Sequence, residues 1–231
     1  MKSFSKIFIS LCLIALFSGC VSQTGFQYIS PEFLNKAEQN TTVLILPVNF
    51  NSLIHIQEDS IEQNCKVYAS ATVLETEIFD NYINIILGEK TQTKIITKEN
   101  LQNEKELKLE NKSAFLGGRK VEFAVPSNVI KSKQSEQIDF ILLFDNLSFL
   151  KNMEIDGSSL GRSGESTYLL NAGIEYIIWS NKLKKIAGYG ELSQKIKLLF
   201  APQKEDYIAI IEKLADVIIQ KSPFAAKKIY F

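Results

Sequence analysis

Alternation of apolar and polar residues is clearest near the carboxyl end of the chain. From Thr167 to Ser180 every second residue is apolar on one face, and Ile177 and Trp179 make the other face apolar as well. A period of two is typical of a β-strand. The mostly polar connection Asn181-Lys182-Leu183-Lys184 then leads into a second run, from Ile186 to Leu199. Two such runs with a short polar connection predict a long antiparallel hairpin.

Shorter apolar runs predict further strands. Thr42 to Val48 and Ile138 to Leu150 are nearly continuous in apolar residues, which is typical of strands buried on both faces. A short strand is predicted at Lys94 to Thr97. The segment from Ala114 to Pro126 predicts a small hairpin that turns at Gly117-Gly118.

Two segments carry a helical period. Pro202 to Gln220 has one apolar stripe, and this segment is predicted as the terminal helix. A weaker pattern from Ile61 to Ile86 breaks near Glu75, which leaves open two helices or a strand followed by a helix, with Gly88 as the C-cap. The charged segment from Lys98 to Lys112 is predicted as a solvated helix. The terminal stripe consists of Tyr207, Ile211, Leu214, Ala215 and Ile218.

The first 20 residues have the layout of an export signal. Lys2 and Lys6 precede an apolar run from Ile7 to Phe17, and Ser18-Gly19 precede Cys20. The run is shorter than the roughly 20 apolar residues that a transmembrane helix needs. The segment resembles bacterial lipoprotein signal peptides, although Phe17 stands where leucine is usual. The resemblance implies removal of residues 1–19 and lipidation of Cys20.

The predicted fold class is α/β (α+β). The order of elements favours a mixed, largely antiparallel sheet with helices packed mainly on one face, a long C-terminal hairpin and a terminal helix. With 45% apolar and 10% aromatic residues the chain can form a sizeable core. We predict a cleaved signal peptide at 1–19, a lipidated tether at 20–41, and a single domain at 42–231 with an insertion at about 98–135. The apolar residues from Phe26 to Leu34 are expected to dock on the domain or on a partner.

Charge and cysteine content narrow the possible partners. The chain has 26 basic and 26 acidic residues, and removal of Lys2 and Lys6 would leave a slightly acidic protein. This balance gives no electrostatic case for nucleic-acid binding or for a polybasic membrane patch, so membrane attachment is expected to depend on the acyl chains at Cys20. Cys12 would leave with the signal and Cys20 would carry lipid, so Cys65 would remain alone without an intramolecular disulfide partner. Cys65 is interpreted as a small buried apolar residue.

A serine hydrolase site is the strongest catalytic alternative. Gly157 to Gly161 matches G-x-S-x-G, with Ser159 as the nucleophile. The motif precedes a predicted strand rather than a helix, and the sole histidine, His55, comes before the serine. We therefore interpret Ser159 as a loop residue. His55 has only Cys65 as a soft companion, so no zinc site is predicted.

Three other chemical patterns remain open or have simpler interpretations. Gly117 to Lys120 lacks the spacing of a phosphate-binding loop, so a hairpin turn is favoured. Trp179 could anchor an interface, but packing against the outer helix is favoured. The distances between carboxylates, which decide whether a glycosidase pair exists, cannot be obtained from the sequence. These carboxylates are Asp139, Asp145, Asp156 and Glu165.

Several runs of the body resemble the periplasmic α/β domain of envelope-assembly lipoproteins. These are the run KTQTKIIT, the run DFILLFDNLSF and the pair GIEYIIWSNKLKKIAGYGELS followed by a helix. The group includes the curli secretion lipoprotein, the amino-terminal domain of TolB and lipoprotein activators of penicillin-binding proteins. The insertion at 98–135 departs from the compact form of these domains.

The resemblance implies a non-catalytic lipoprotein that assembles with, tethers or activates another envelope component, or forms a homo-oligomer. No catalytic residue, metal or cofactor is predicted, and Cys20 is the single residue with a chemical role. The residue after it is Val21 rather than Asp, which by resemblance to known sorting rules favours the periplasmic face of an outer membrane. The alternatives are a lipid-anchored hydrolase of peptidoglycan, glycan or ester, and capture of a small hydrophobic ligand.

Overall fold

Two sheets and two long helices make up the described part of a computed structural model of the chain. The structure describes residues 24–34, 40–48, 55–57, 71–102, 107–133, 136–155 and 166–224. The strands are β1 Thr24–Ile29, β2 Thr42–Ile45, β3 His55–Gln57, β4 Lys94–Ile96, β5 Leu109–Leu116, β6 Arg119–Pro126, β7 Phe140–Ile155, β8 Ser166–Ser180 and β9 Lys185–Leu198. The helices are α1 Val73–Lys90 and α2 Lys204–Gln220, with a short 3-10 turn at Lys98–Asn100.

The larger sheet has six strands in the order β1-β9-β8-β7-β2-β4. Strand β2 runs parallel to β4 and β7, and the other neighbours are antiparallel. Both helices pack on one face of this sheet. The predicted fold class is therefore confirmed, as are the long hairpin of β8 and β9 and the terminal helix.

The second face of the sheet is covered by the three-stranded sheet β3-β6-β5. Strands β5 and β6 come from the predicted insertion, so the insertion supplies the cover of a second hydrophobic core. Trp179 lies in this core with Val121 and Phe123, and the Lys112 ammonium lies 5.2 Å from the centre of its ring. The prediction that Trp179 packs against the outer helix was wrong, because its face of β8 is opposite to the helices.

Helix α1 begins with a capping box. The Thr72 hydroxyl accepts a hydrogen bond from the Glu75 backbone N–H, and the Glu75 carboxylate accepts one from the Thr72 backbone N–H. The interruption near Glu75 is thus the start of the helix, where such a pair satisfies unpaired backbone donors. Gly88 lies inside the last turn and Thr91 is the C-cap, so the prediction of Gly88 as the C-cap was wrong.

The prediction of a helix from Lys98 to Lys112 was also wrong. Among the described residues of this segment, 98–102 and 107–112, Lys98–Asn100 forms a 3-10 turn and Leu109 to Lys112 begin strand β5. Most side chains of β5 are exposed at the edge of the small sheet. Because charged side chains are common on edge strands, the charge pattern of this segment resembles that of a solvated helix. The predicted turn at Gly117-Gly118 is confirmed, with φ of 56° and 86° at the two glycines.

Candidate functional site

The segment that follows Cys20 enters the large sheet almost at once. Strand β1 begins at Thr24 and pairs with β9 in antiparallel register, from Thr24 opposite Ser193 to Ile29 opposite Gly188. Part of the predicted tether therefore belongs to the sheet as an edge strand. We call this strand, with the side chains that hold it, the anchor junction.

On the helix face, the anchor junction is held by a polar side chain. Gln27 donates from Nε2 to the Tyr176 hydroxyl at 2.9 Å and to the Val217 carbonyl of α2 at 3.3 Å. The Tyr176 ring reaches Gln27 by crossing β9 at Gly190, where a β-carbon would lie only 2.7 Å from ring carbon Cζ. Burial raises the pKa of Tyr176, so its hydroxyl stays protonated across the physiological range.

On the opposite face, the anchor junction is held by aromatic and cationic contacts. The Phe26 ring lies 6.0 Å from the Tyr189 ring between centroids, and the Arg119 guanidinium lies 4.6 Å from the centre of the Phe26 ring. Arg119 also pairs with Glu191 at 3.4 Å. Since Arg119 begins β6, these contacts tie the small sheet to β1, and both faces of the strand are held.

A row of three carboxylates lies beside the anchor junction. Asp145, Glu175 and Glu191 are direct cross-strand neighbours on β7, β8 and β9. Direct neighbours point to the same face of a sheet, here the face under the small sheet. Asp145 is buried and its carboxylate accepts from the Asn146 backbone N–H at 2.9 Å. Three acidic groups thus share one partly buried region, where the Arg119 guanidinium pairs with Glu191.

Glu175, at the centre of the row, is protonated more readily than an ordinary carboxyl. Burial raises its pKa to about 7, a hydrogen bond from Asn146 opposes this rise, and the neighbouring Glu191 and Asp145 add to it. Its Oε2 atom is buried and has no hydrogen-bond partner among the described residues. The Tyr189 hydroxyl is likewise buried without a partner there, and burial together with Glu175 and Glu191 raises its pKa.

The Glu175 carboxyl should make the protein less stable as pH rises. Between the ordinary pKa of 4.5 and about 7, the folded protein holds this proton while the unfolded chain has released it. The unfolded state therefore binds fewer protons, and the free energy of unfolding falls with rising pH through that window. Glu175→Gln should raise stability at pH 8 by about 1–2 kcal/mol, after allowance for partial exposure, and leave it unchanged at pH 4.

Chemical denaturation at several pH values measures this difference. Glu110→Gln is the matched control, because Glu110 lies half exposed on β5 and pairs with Lys112 there. That control should change the free energy of unfolding by no more than an exposed ion pair contributes, about 0–1 kcal/mol. Equal stability of Glu175→Gln and wild type at pH 8 would contradict the assignment.

A second polar feature is an open groove of about 650 Å³ at the amino ends of β2, β4 and β7. Lys94 and Glu136 pair across it at 2.5 Å, and Asp139 accepts from the Thr42 backbone N–H at 2.9 Å. Ligands of parallel sheets usually bind at the opposite, carboxyl edge. Asp139 therefore has a local structural role at this end of the sheet.

The sequence-predicted site residues are only partly placed. Cys20, Cys65, Ser159, Asp156 and Glu165 lie outside the described residues. The backbone of His55 pairs with Glu122 in the small sheet. Asp139 immediately precedes β7 and Asp145 lies within it, and the partner that Asp145 meets is Glu175, which was not considered as a site residue. No group of three or more His, Cys, Asp or Glu residues suited to a metal occurs within the described ranges.

Sequence reasoning missed the contacts of the anchor junction. Gln27 and Tyr176 are 149 positions apart, and no local pattern connects them. The nearest sequence signal is Gly190, which the register of the hairpin places opposite Tyr176. Within the described part of the chain, no helix is long and apolar enough to cross a bilayer.

Comparisons with known proteins give no family. No protein-family model and no curated protein matches the chain. Among solved structures, the PelC dodecamer from Paraburkholderia phytofirmans aligns at 8% identity with a TM-score of 0.41, covering 89% of this chain and 99% of that chain. A protein described as a neuraminyllactose-binding hemagglutinin homolog from Helicobacter pylori aligns at 11% identity with a TM-score of 0.35, covering 80% and 86%. Both TM-scores are below 0.5, so neither alignment supports an inference about function.

Proposed function

We propose that this protein is a lipid-anchored, non-catalytic lipoprotein of the bacterial envelope that assembles with, tethers or activates another envelope component. The observation that carries the proposal is the sequence Leu16-Phe17-Ser18-Gly19-Cys20 after an apolar run with a cationic start. Acyl chains on Cys20 would give stable attachment, because two or more chains anchor a protein where one is marginal. The periplasmic face of the outer membrane is the proposed location.

The anchor junction supports this proposal by its position. Cys20 lies four residues before Thr24, and four extended residues span at most about 14 Å. Side-chain contacts on both faces hold β1 in the sheet. A lipid on Cys20 would therefore be joined to the folded domain by a short segment. A domain held this close to a bilayer is restricted to partners in or next to that membrane.

The proposal is tested by fatty-acid labelling and crosslinking in intact cells of a bacterial host. We expect an alkyne fatty acid to label the protein, and an amine-reactive crosslinker to give a discrete species of higher mass. A protein without a fatty-acid label would overturn the lipid anchor. A labelled protein that stays monomeric under all growth conditions would overturn the assembly role and leave the anchor intact.

A further inference from the structure

Two large apolar side chains are exposed next to each other at the end of β9. Leu199 is 71% exposed and Phe200 is 79% exposed, in the bend between β9 and α2. Lys195 and Lys197, just before them, are exposed as well. Neighbouring exposed leucine and phenylalanine with flanking lysines is a combination that suits the interface between water and lipid.

The register of β1 on β9 places this end of the molecule towards the anchor. Thr24 lies opposite Ser193, and because the strands are antiparallel the amino end of β1 lies at the same end of the sheet as the carboxyl end of β9, which leads into Leu199. The stretch from Ser193 to Leu199, which is β9 as far as Leu198, spans at most about 20 Å. Cys20 lies four residues before Thr24, so it is at most about 14 Å from it. Leu199 and a lipid on Cys20 can therefore meet the same membrane surface.

We propose that Leu199 and Phe200 insert into the headgroup region of the same bilayer leaflet that holds the acyl chains of Cys20. This inference rests on the proposed lipid anchor. The two apolar side chains form a second contact beside the lipid, and Lys195 and Lys197 lie where they can reach the phosphates of anionic phospholipids. Two separate contacts fix the tilt of the domain, whereas a single flexible link would leave it free to rotate.

The opposite end of the same hairpin then faces away from the membrane. Leu183, in the turn between β8 and β9, is 48% exposed and lies at the far end of β9 from Leu199. The polar groove that contains Lys94 and Asp139 is near this turn. The backbone carbonyl of Asp139 accepts a hydrogen bond from the Asn181 backbone N–H at 2.9 Å. This end is consequently available to a partner on the aqueous side.

Fluorescence quenching by lipid tests the orientation. Full-length Phe200→Trp and Leu183→Trp variants are processed and acylated in cells and then inserted into preformed vesicles of phosphatidylethanolamine and phosphatidylglycerol. A fraction of the lipids carries brominated acyl chains. The native Trp179 is buried, and the wild-type protein measured in parallel supplies its background emission. We expect the tryptophan at position 200 to lose on the order of half of its emission to the brominated lipid, while the tryptophan at position 183 is quenched by aqueous iodide instead.

The outcomes test lipidation of Cys20 separately from membrane insertion of Leu199 and Phe200. Mass spectrometry of the same preparations reports acylation at Cys20, and an unacylated mature protein would overturn the proposed function. Acylated Phe200→Trp that is quenched by iodide as strongly as Leu183→Trp would overturn the orientation alone. Emission at position 200 that is shielded from both quenchers would mean that a protein surface covers Leu199 and Phe200, which also overturns the inference.

Discussion

Replacing Cys20 with alanine should abolish fatty-acid labelling completely. The thiolate of Cys20 is the group to which lipid is proposed to be attached, and alanine has no nucleophilic atom in its place. Without lipid the signal segment should stay uncleaved, or the mature protein should be released from the membrane fraction. Membrane fractionation, together with the intact mass of the protein, measures both results.

The other two cysteines provide matched controls for this substitution. Cys12 lies within the apolar run of the signal and Cys65 lies in the body of the chain. Cys12→Ala and Cys65→Ala should each be labelled, cleaved and retained like the wild type. Normal cleavage and unchanged membrane association of the Cys20→Ala variant would contradict the assignment of Cys20.

Replacing Gly190 with alanine should destabilise the folded protein by about 2–3 kcal/mol. The new β-carbon would lie 2.7 Å from Cζ and 2.8 Å from the hydroxyl of Tyr176, whose side chain is fully buried. Because the ring is fully buried, any shift that relieves this contact should weaken its hydrogen bond with Gln27. The free energy of unfolding, measured with urea, should fall, and β1 should lose protection from hydrogen exchange before the rest of the sheet.

Gly188→Ala is the matched control for Gly190→Ala. Gly188 lies two residues earlier on the same strand, and its nearest neighbour would be the Ile178 Cδ1 atom at 3.2 Å. This atom is the end of a flexible side chain, so a small rotation relieves the contact and we expect a loss below about 1 kcal/mol. An equal loss of unfolding free energy in Gly188→Ala and Gly190→Ala would contradict the conclusion that the Tyr176 ring needs glycine at position 190.

The sequence predicted those strands and helices in which the periodic pattern of apolar residues continues from one end of the element to the other. Strands β8 and β9 were predicted because alternation extends over their whole length, and α2 because its apolar stripe is continuous. The start of α1 at Thr72 could have been read from the spacing of Thr72 and Glu75, which matches a capping box. Glu75 was instead interpreted as an interruption, since a buried carboxylate within an apolar face resembles a break.

The partners of Glu75 in the folded protein explain why the sequence pattern was misinterpreted at this position. Its carboxylate accepts from the Tyr207 hydroxyl at 3.1 Å and pairs with Lys151 at 2.9 Å, and these partners come from α2 and β7. Burial raises the pKa of Glu75, but the hydrogen bonds from Thr72, Lys151 and Tyr207 outweigh that effect and lower it overall. A charge can be buried here because partners distant in sequence meet it, which no local pattern reveals.

The sequence by itself determined the proposed site of the anchor at Cys20, the strands of the long hairpin and the faces of β8. These follow from local order, because a signal segment is recognised in linear form and strand side chains alternate with a period of two. Both faces of β8 are apolar, however, so alternation could not decide which face the helices cover. The tertiary structure placed the helices over Tyr176 and the small sheet over Trp179. It also brought Asp145, Glu175 and Glu191 into one row, because strand order depends on the packing of the whole chain.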